Sequence, residues 1–187
     1  MRRNNIQLIN SRDFHRFIMK TGSDPEARKA LLARNRAIDL ALNAPSKVKV
    51  LRDLLSQNID DKVIIFTHHN KLVYQISKEF LIPAITYQTS KEERTEILDK
   101  FRSGEYKKVV TSRVLDEGID VPDATLGVIL SGTGSTREFI QRLGRLLRKK
   151  EGKNARLIEI VTKETKEVKI SQRRRRLGVY FCSLSIF

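Results

Sequence analysis

The segment Gln141-Arg-Leu-Gly-Arg-Leu-Leu-Arg148 places Arg145 and Arg148 three positions apart, with Gln141 and Gly144 just upstream. On a helix, residues at that spacing share a face, so both guanidiniums can converge on one anion. Planar, permanently charged forks suit the dispersed negative charge of a phosphoryl group in transfer. Surface arginines on a helix whose buried stripe is Ile140, Leu143 and Leu147 are the plainer reading. The segment rises above it because Val110-Thr-Ser-Arg-Val-Leu-Asp-Glu-Gly-Ile-Asp-Val-Pro122 stands a short way upstream. There Glu117 and Asp120 flank Gly118. A paired-carboxylate hydrolase is one interpretation, but no metal-ligand set accompanies it. The other makes Asp120 an acceptor for a ribose or an arginine, with Gly118 admitting close backbone approach.

Hydroxyl-rich loops recur after apolar runs. Thr67-His-His-Asn70 follows Val63–Phe66, Thr86-Tyr-Gln-Thr-Ser90 follows a second run, Thr111-Ser-Arg113 a third and Ser131-Gly-Thr-Gly-Ser135 a fourth. If the runs are parallel strands, these loops collect at their carboxyl ends, where ligands bind in open α/β sheets. Hydroxyls and helix-start amides are phosphate ligands that carry no sequence information. Any single Ser or Thr there is more simply a helix cap. Repetition at every strand end argues for a surface that follows a nucleic-acid backbone.

Absences narrow the chemistry. The sequence has no Gly-x-x-x-x-Gly-Lys-Ser/Thr loop to cradle phosphates and no Asp-Glu-x-His/Asp run to hold magnesium. This chain by itself therefore cannot hydrolyse ATP by the P-loop mechanism; it reads as the half that delivers arginines across a cleft. No metal site is expected either. His68 and His69 are adjacent and point apart, His15 is remote, and the single cysteine, Cys182, excludes a cysteine zinc cluster and an intramolecular disulfide.

The charge balance is consistent with this. Among 187 residues, 37 Lys and Arg stand against 22 Asp and Glu, a net charge of +15. Such an excess favours a polyanionic partner, because neutralising phosphates releases condensed counterions; solubility or growth at high temperature is the bland alternative. Aromatics make up 6% with no Trp, so a base-stacking platform is not expected. The start lacks the apolar run of a secretory signal, and no stretch is long enough for a membrane span.

Positioning these groups requires alternating elements. Phe14, Phe17 and Ile18 fall on one helical stripe, Asp24-Pro25-Glu26 starts a second helix running to about Asn43, and Pro45-Ser46 starts a third carrying Val48, Leu51, Leu54 and Leu55. Strands are expected at 63–66, 84–86, 108–111, 126–130 and 157–161, with helices at 71–80, 91–101 and 137–148. That alternation predicts an α/β fold with a parallel sheet flanked by helices, preceded by a helical N-terminal segment. Residues 1–44 form that segment, 45–166 the α/β domain, and 167–187 a basic then apolar tail. The tail holds the block Arg173–Arg176 and an apolar run too short for a bilayer.

Taken together, Lys62-Val-Ile-Ile-Phe-Thr-His-His-Asn70, Leu81-Ile-Pro-Ala-Ile85, Val110–Ala124 and Gly132–Arg148 resemble the second RecA-like domain of a superfamily 2 helicase. More narrowly they resemble the C-terminal half of the XPB family of DNA helicases, nearer the archaeal members, over about Ile6 to Glu167. The resemblance implies an ATP-dependent 3′-to-5′ DNA helicase or translocase of nucleotide excision repair. It implies ATP and Mg2+ held mainly by a first RecA-like domain outside this chain. Arg145, Arg148 and Gln141 would be catalytic, and Glu117, Gly118, Asp120 and Gly144 would border the nucleotide. Thr67, His68, Thr89, Ser90, Thr111, Ser112, Arg113 and Thr133 would meet the DNA backbone. Residues before Pro45 would end a thumb-like insertion. Implied partners are DNA, the first RecA-like domain and a nuclease or repair-complex subunit, with no membrane, in the cytoplasm of an archaeon or the nucleus of a eukaryote. An RNA helicase, a restriction-type translocase and a non-catalytic basic nucleic-acid-binding module are the competing readings.

Overall fold

The computed structural model describes residues 11–42, 44–67, 69–112, 124–130, 156–165, 167–168, 171–172 and 181–186. The chain divides into two compact units, Met1–Ala41 and Leu42–Phe187.

In the first unit α1 (Ser11–Lys20) and α2 (Pro25–Leu42) are joined by a tight turn. Asp24 makes that turn possible, because its Oδ1 accepts from the amides of Glu26 and Ala27 at 2.9 and 3.1 Å. Those amides are among the donors a helix start leaves unpaired. Arg28 reaches back to the carbonyls of Thr21 and Gly22. Of the expected stripe, Phe17 is buried, Phe14 lies beneath the Arg34 guanidinium at 4.9 Å, and Ile18 is exposed.

The second unit is a six-stranded, wholly parallel sheet in the order β2-β3-β1-β4-β5-β6. Its strands are β1 (Val63–Phe66), β2 (Ala84–Ile85), β3 (Lys108–Thr111), β4 (Leu126–Ile129), β5 (Arg156–Thr162) and β6 (Phe181–Ile186), with α3 (Pro45–Gln57), α4 (Asn70–Phe80) and α5 (Lys91–Ser103) packed around them. The β-branched run Val63-Ile-Ile-Phe66 lies at the centre and is buried throughout, as a strand covered on both faces must be.

From β1 the chain passes through α4 beyond β3 to β2, and α5 brings it back to β3. Those crossovers run in opposite directions along the sheet, so a common right hand puts their helices on opposite faces. The core divides accordingly. Val63, Ile65, Val110, Leu126 and Val128 pack with α3 and α4 residues such as Leu51, Leu55, Val73 and Ile76. Ile64, Phe66, Ile85, Val109 and Ile129 pack with Ile97, Leu98 and Phe101 of α5. The alternation along each strand decides which side chain faces which layer.

The amino ends of the strands are tied by polar contacts. Arg156 donates to Asn58 Oδ1 and Asp61 Oδ2, both at 2.7 Å, Thr125 Oγ1 donates to Asp61 at 2.7 Å, and Lys107 pairs with Asp60 at 2.8 Å. Gly104 ends α5 at φ 88°, a left-handed position that glycine fills without a Cβ penalty. The apolar run near the end of the sequence enters the sheet as β6. It pairs with β5 from Leu157↔Phe181 to Thr162↔Ile186.

Candidate nucleic-acid interface

The register fixes one rim. Phe66 lies opposite both Thr111 and Ile129, and Ile85 lies opposite Thr111, so β1 to β4 end level with one another. Main-chain bonds continue past these ends. The Thr67 amide donates to Thr111 O at 3.0 Å, Leu130 N to Phe66 O at 2.9 Å, and Ser112 N to Ile85 O at 3.1 Å. Thr67, Thr111, Ser112 and Leu130 thereby stand in one row, and Thr86 closes it at the β2 edge. The row is set back in the protein, since Thr67, Thr86, Thr111, Ser112 and Leu130 are all buried.

Hydroxyl chemistry sorts the predicted backbone contacts. The Thr111 hydroxyl donates to Ser112 O at 2.9 Å; its proton is committed, and the oxygen retains only acceptor capacity. Thr89 and Ser90 are arranged the opposite way. Thr89 Oγ1 accepts from the amide of Thr86 at 2.9 Å, and Ser90 Oγ caps α5 by accepting from Glu93 N at 3.1 Å. A hydroxyl that accepts still has its own proton to give, so Thr89 and Ser90 can donate to a phosphate while holding the loop. Ser90 is exposed and Thr89 is half-buried. Behind them Tyr74 OH donates to Gln88 Oε1 at 2.6 Å and meets Thr86 Oγ1 at 3.2 Å, bracing the turn.

The structure therefore brings Thr67, Thr111 and Ser112 together at the ends of β1 and β3, and puts Thr89 and Ser90 on the loop leading into α5. His68, Arg113, Glu117, Gly118, Asp120, Thr133, Gln141, Gly144, Arg145 and Arg148 lie outside the described residues. Among the described residues no group of three or more His, Cys, Asp or Glu side chains could hold a metal ion. The described rim does not fit magnesium. Among the described residues, too, no helix is long and apolar enough to cross a membrane.

Lys47 and Glu167, beside the rim, escaped the motif reading. Lys47, fully buried in the first turn of α3, donates to Leu130 O at 2.7 Å and to Glu167 Oε1 at 2.6 Å. Burial pushes its ammonium below the ordinary lysine value, opposed by the charges of Glu167 and Glu159. A signal was present, because Lys47, Leu51 and Leu54 recur at four and three along one helix face.

A parallel sheet of this order, covered on both faces and with its loops gathered at one rim, defines a RecA-like domain. Residues 46–150 match the helicase conserved C-terminal domain, and the chain belongs to that family. Over 170 residues it is 52% identical to "DNA 3'-5' translocase XPB2" of Sulfurisphaera tokodaii, covering 91% of this chain and 38% of that relative. Over 137 residues it is 35% identical to "Putative DNA 3'-5' helicase Rad25" of Haloarcula marismortui, covering 73% of this chain and 22% of the relative. The chain thus spans well under half the length of these curated relatives. The C-terminal domain of the DEAD-box protein Dbp5 shares the fold, with a TM-score of 0.66 at 22% identity over 78% of this chain and 86% of that one. The resemblance to the C-terminal half of XPB-type proteins is borne out.

Proposed function

We propose that this chain is the second motor domain of an ATP-dependent DNA helicase or translocase moving 3′ to 5′, working in nucleotide excision repair. The observation that carries the reading is the level rim of β1 to β4, together with 52% identity to a relative named as a DNA 3'-5' translocase. Thr89 and Ser90 donate to DNA phosphates; Thr67, His68, Ser112, Arg113 and Thr133 follow the same backbone, and Thr111 contributes by holding that row in place. Such contacts hold a strand without reading its sequence.

Arg145 and Arg148 neutralise charge on the γ-phosphoryl oxygens of ATP held by a first RecA-like domain, and Gln141 orients that edge. Glu117, Gly118, Asp120 and Gly144 border the nucleotide. ATP and magnesium would be held mainly by the first motor domain, where the metal would supply charge neutralisation at the phosphates. Partners are DNA, the first motor domain and a nuclease or repair-complex subunit. The protein works in the cytoplasm of an archaeon or the nucleus of a eukaryote.

The test is Arg148→Ala in the full-length protein. Expected is loss of ATP turnover by about 10³-fold or more, the scale of an arginine finger, with DNA affinity nearly unchanged. Turnover near the wild-type rate would remove Arg148 from the site.

A further inference from the structure

Lys47 and Glu167 form a buried ion pair that the function proposed above does not use. The ammonium is held from two sides, by Glu167 Oε1 at 2.6 Å and by the carbonyl of Leu130 at 2.7 Å. Glu167 is fixed in turn: its Oε2 accepts from the amide of Thr162 at 2.9 Å, and its own amide donates to Thr165 Oγ1 at 3.2 Å. Thr165 Oγ1 donates to Thr162 O at 2.7 Å and completes the turn after β5. One nitrogen thus joins the first turn of α3, the carboxyl end of β4 and the turn beyond β5.

Stability is a weak explanation for this arrangement. A buried pair loses its hydration, and apolar residues of the same volume commonly serve as well or better. The stripe around Lys47 (Val48, Leu51, Leu54 and Leu55) is otherwise apolar. What a charge pair supplies and a methionine does not is direction. Leu130 is the last residue of the rim before Ser131, and the chain leaving it next carries Gln141, Arg145 and Arg148.

We propose that Lys47 is a positioning residue which, clamped by Glu167, fixes where the chain leaves β4, upstream in sequence of Arg145 and Arg148, and that turnover depends on that fixed exit. The proposal rests on the arginine reading above. An error of about 1 Å in the placement of a catalytic group costs on the order of 10²-fold in rate, so a main-chain exit held by the Lys47 bond to Leu130 O matters to turnover.

The deciding variant is Lys47→Met/Glu167→Leu in the full-length protein, which removes both charges of the pair together with their bonds to Leu130 O and Thr162 N. Expected is a folded protein with a modestly lowered melting temperature, KM for ATP and DNA affinity little changed, and kcat reduced roughly 10- to 100-fold. Wild-type kcat in the folded double variant overturns the proposal, because the pair would then act on stability alone. Glu167→Gln, which keeps the size and an acceptor for Lys47, decides the matter if the double variant does not fold. A several-fold drop in kcat at unchanged KM supports positioning, and wild-type kcat rejects it. Arg148→Ala run alongside separates the two ideas. If it is inactive while the double variant is fully active, only the positioning role fails; if it retains turnover, the arginine reading fails first.

Discussion

The amide of Thr67 donates to the carbonyl of Thr111 at 3.0 Å, continuing the β1–β3 ladder one residue past Phe66. This bond keeps both threonines in the sheet and buried, so the rim is a rigid ledge from which the neighbouring loops reach outward. Placement by a ladder is more precise than placement by a loop. It also divides the hydroxyls into those that hold the ledge and those with a proton to spare.

Thr111→Val should expose that division. The change removes the bond to Ser112 O and is expected to lower unfolding free energy by about 1 kcal/mol, read from the denaturant midpoint. DNA affinity should stay within error. Thr89→Val should weaken DNA binding more than Thr111→Val, and the reverse order would show that the Thr111 hydroxyl touches DNA.

Ser90 has a cap and a donor to lose. Ser90→Ala is expected to cost about 1 kcal/mol through the uncapped Glu93 amide and also to weaken DNA binding. Ser90→Asp restores the cap but sets a carboxylate against the phosphates. Stability should recover while affinity falls further, and recovery of both would make Ser90 a cap alone.

Asp24 and Asp60 contribute to the acid side of the stability profile. Hydrogen bonds from Ala27 and Lys20 hold Asp24 below its ordinary 3.8, and the bond from Lys107 does the same for Asp60. Both carboxyls are depressed in the folded state, so their contribution is complete above pH 3.8 and disappears as pH falls through the lowered values. Asp24→Asn should flatten the acid limb of a melting-temperature profile. An unchanged slope would show that the cap does not couple to protonation.

DNA binding should be steeply salt-dependent, with log K falling by about 0.9 per phosphate contact for each unit of log salt. Changing Arg173–Arg176 to glutamine should reduce the slope by up to that amount for each arginine in contact. A slope identical to wild type would make the block a solvated run.

Much of this architecture was legible because the signals are local. Val63–Phe66 and Lys108–Thr111 appear at their expected bounds, since continuous β-branched runs between polar loops leave little choice. The Leu157–Val161 run extends by one residue at each end, to Arg156–Thr162. Ser90 and Asp24 cap where their side chains precede helical periods. The remainder depends on partners distant in sequence. Nothing within Phe181–Ile186 specifies β5 as its neighbour, and a lysine on an apolar stripe reads as solvated until Glu167 and the Leu130 carbonyl are brought to it. The division of hydroxyls at the rim was likewise invisible, because a sequence shows an oxygen but not which way its proton is spent.

The carboxylate that neutralises Lys47 stands at position 167, whereas the helicase match stops at 150. Anyone trimming this lobe to its conserved motifs would discard β5 and leave an ammonium embedded in hydrocarbon with no counterion. Removing one partner of a buried pair commonly costs about 3–5 kcal/mol, so a stable piece of this lobe is expected to include Glu167.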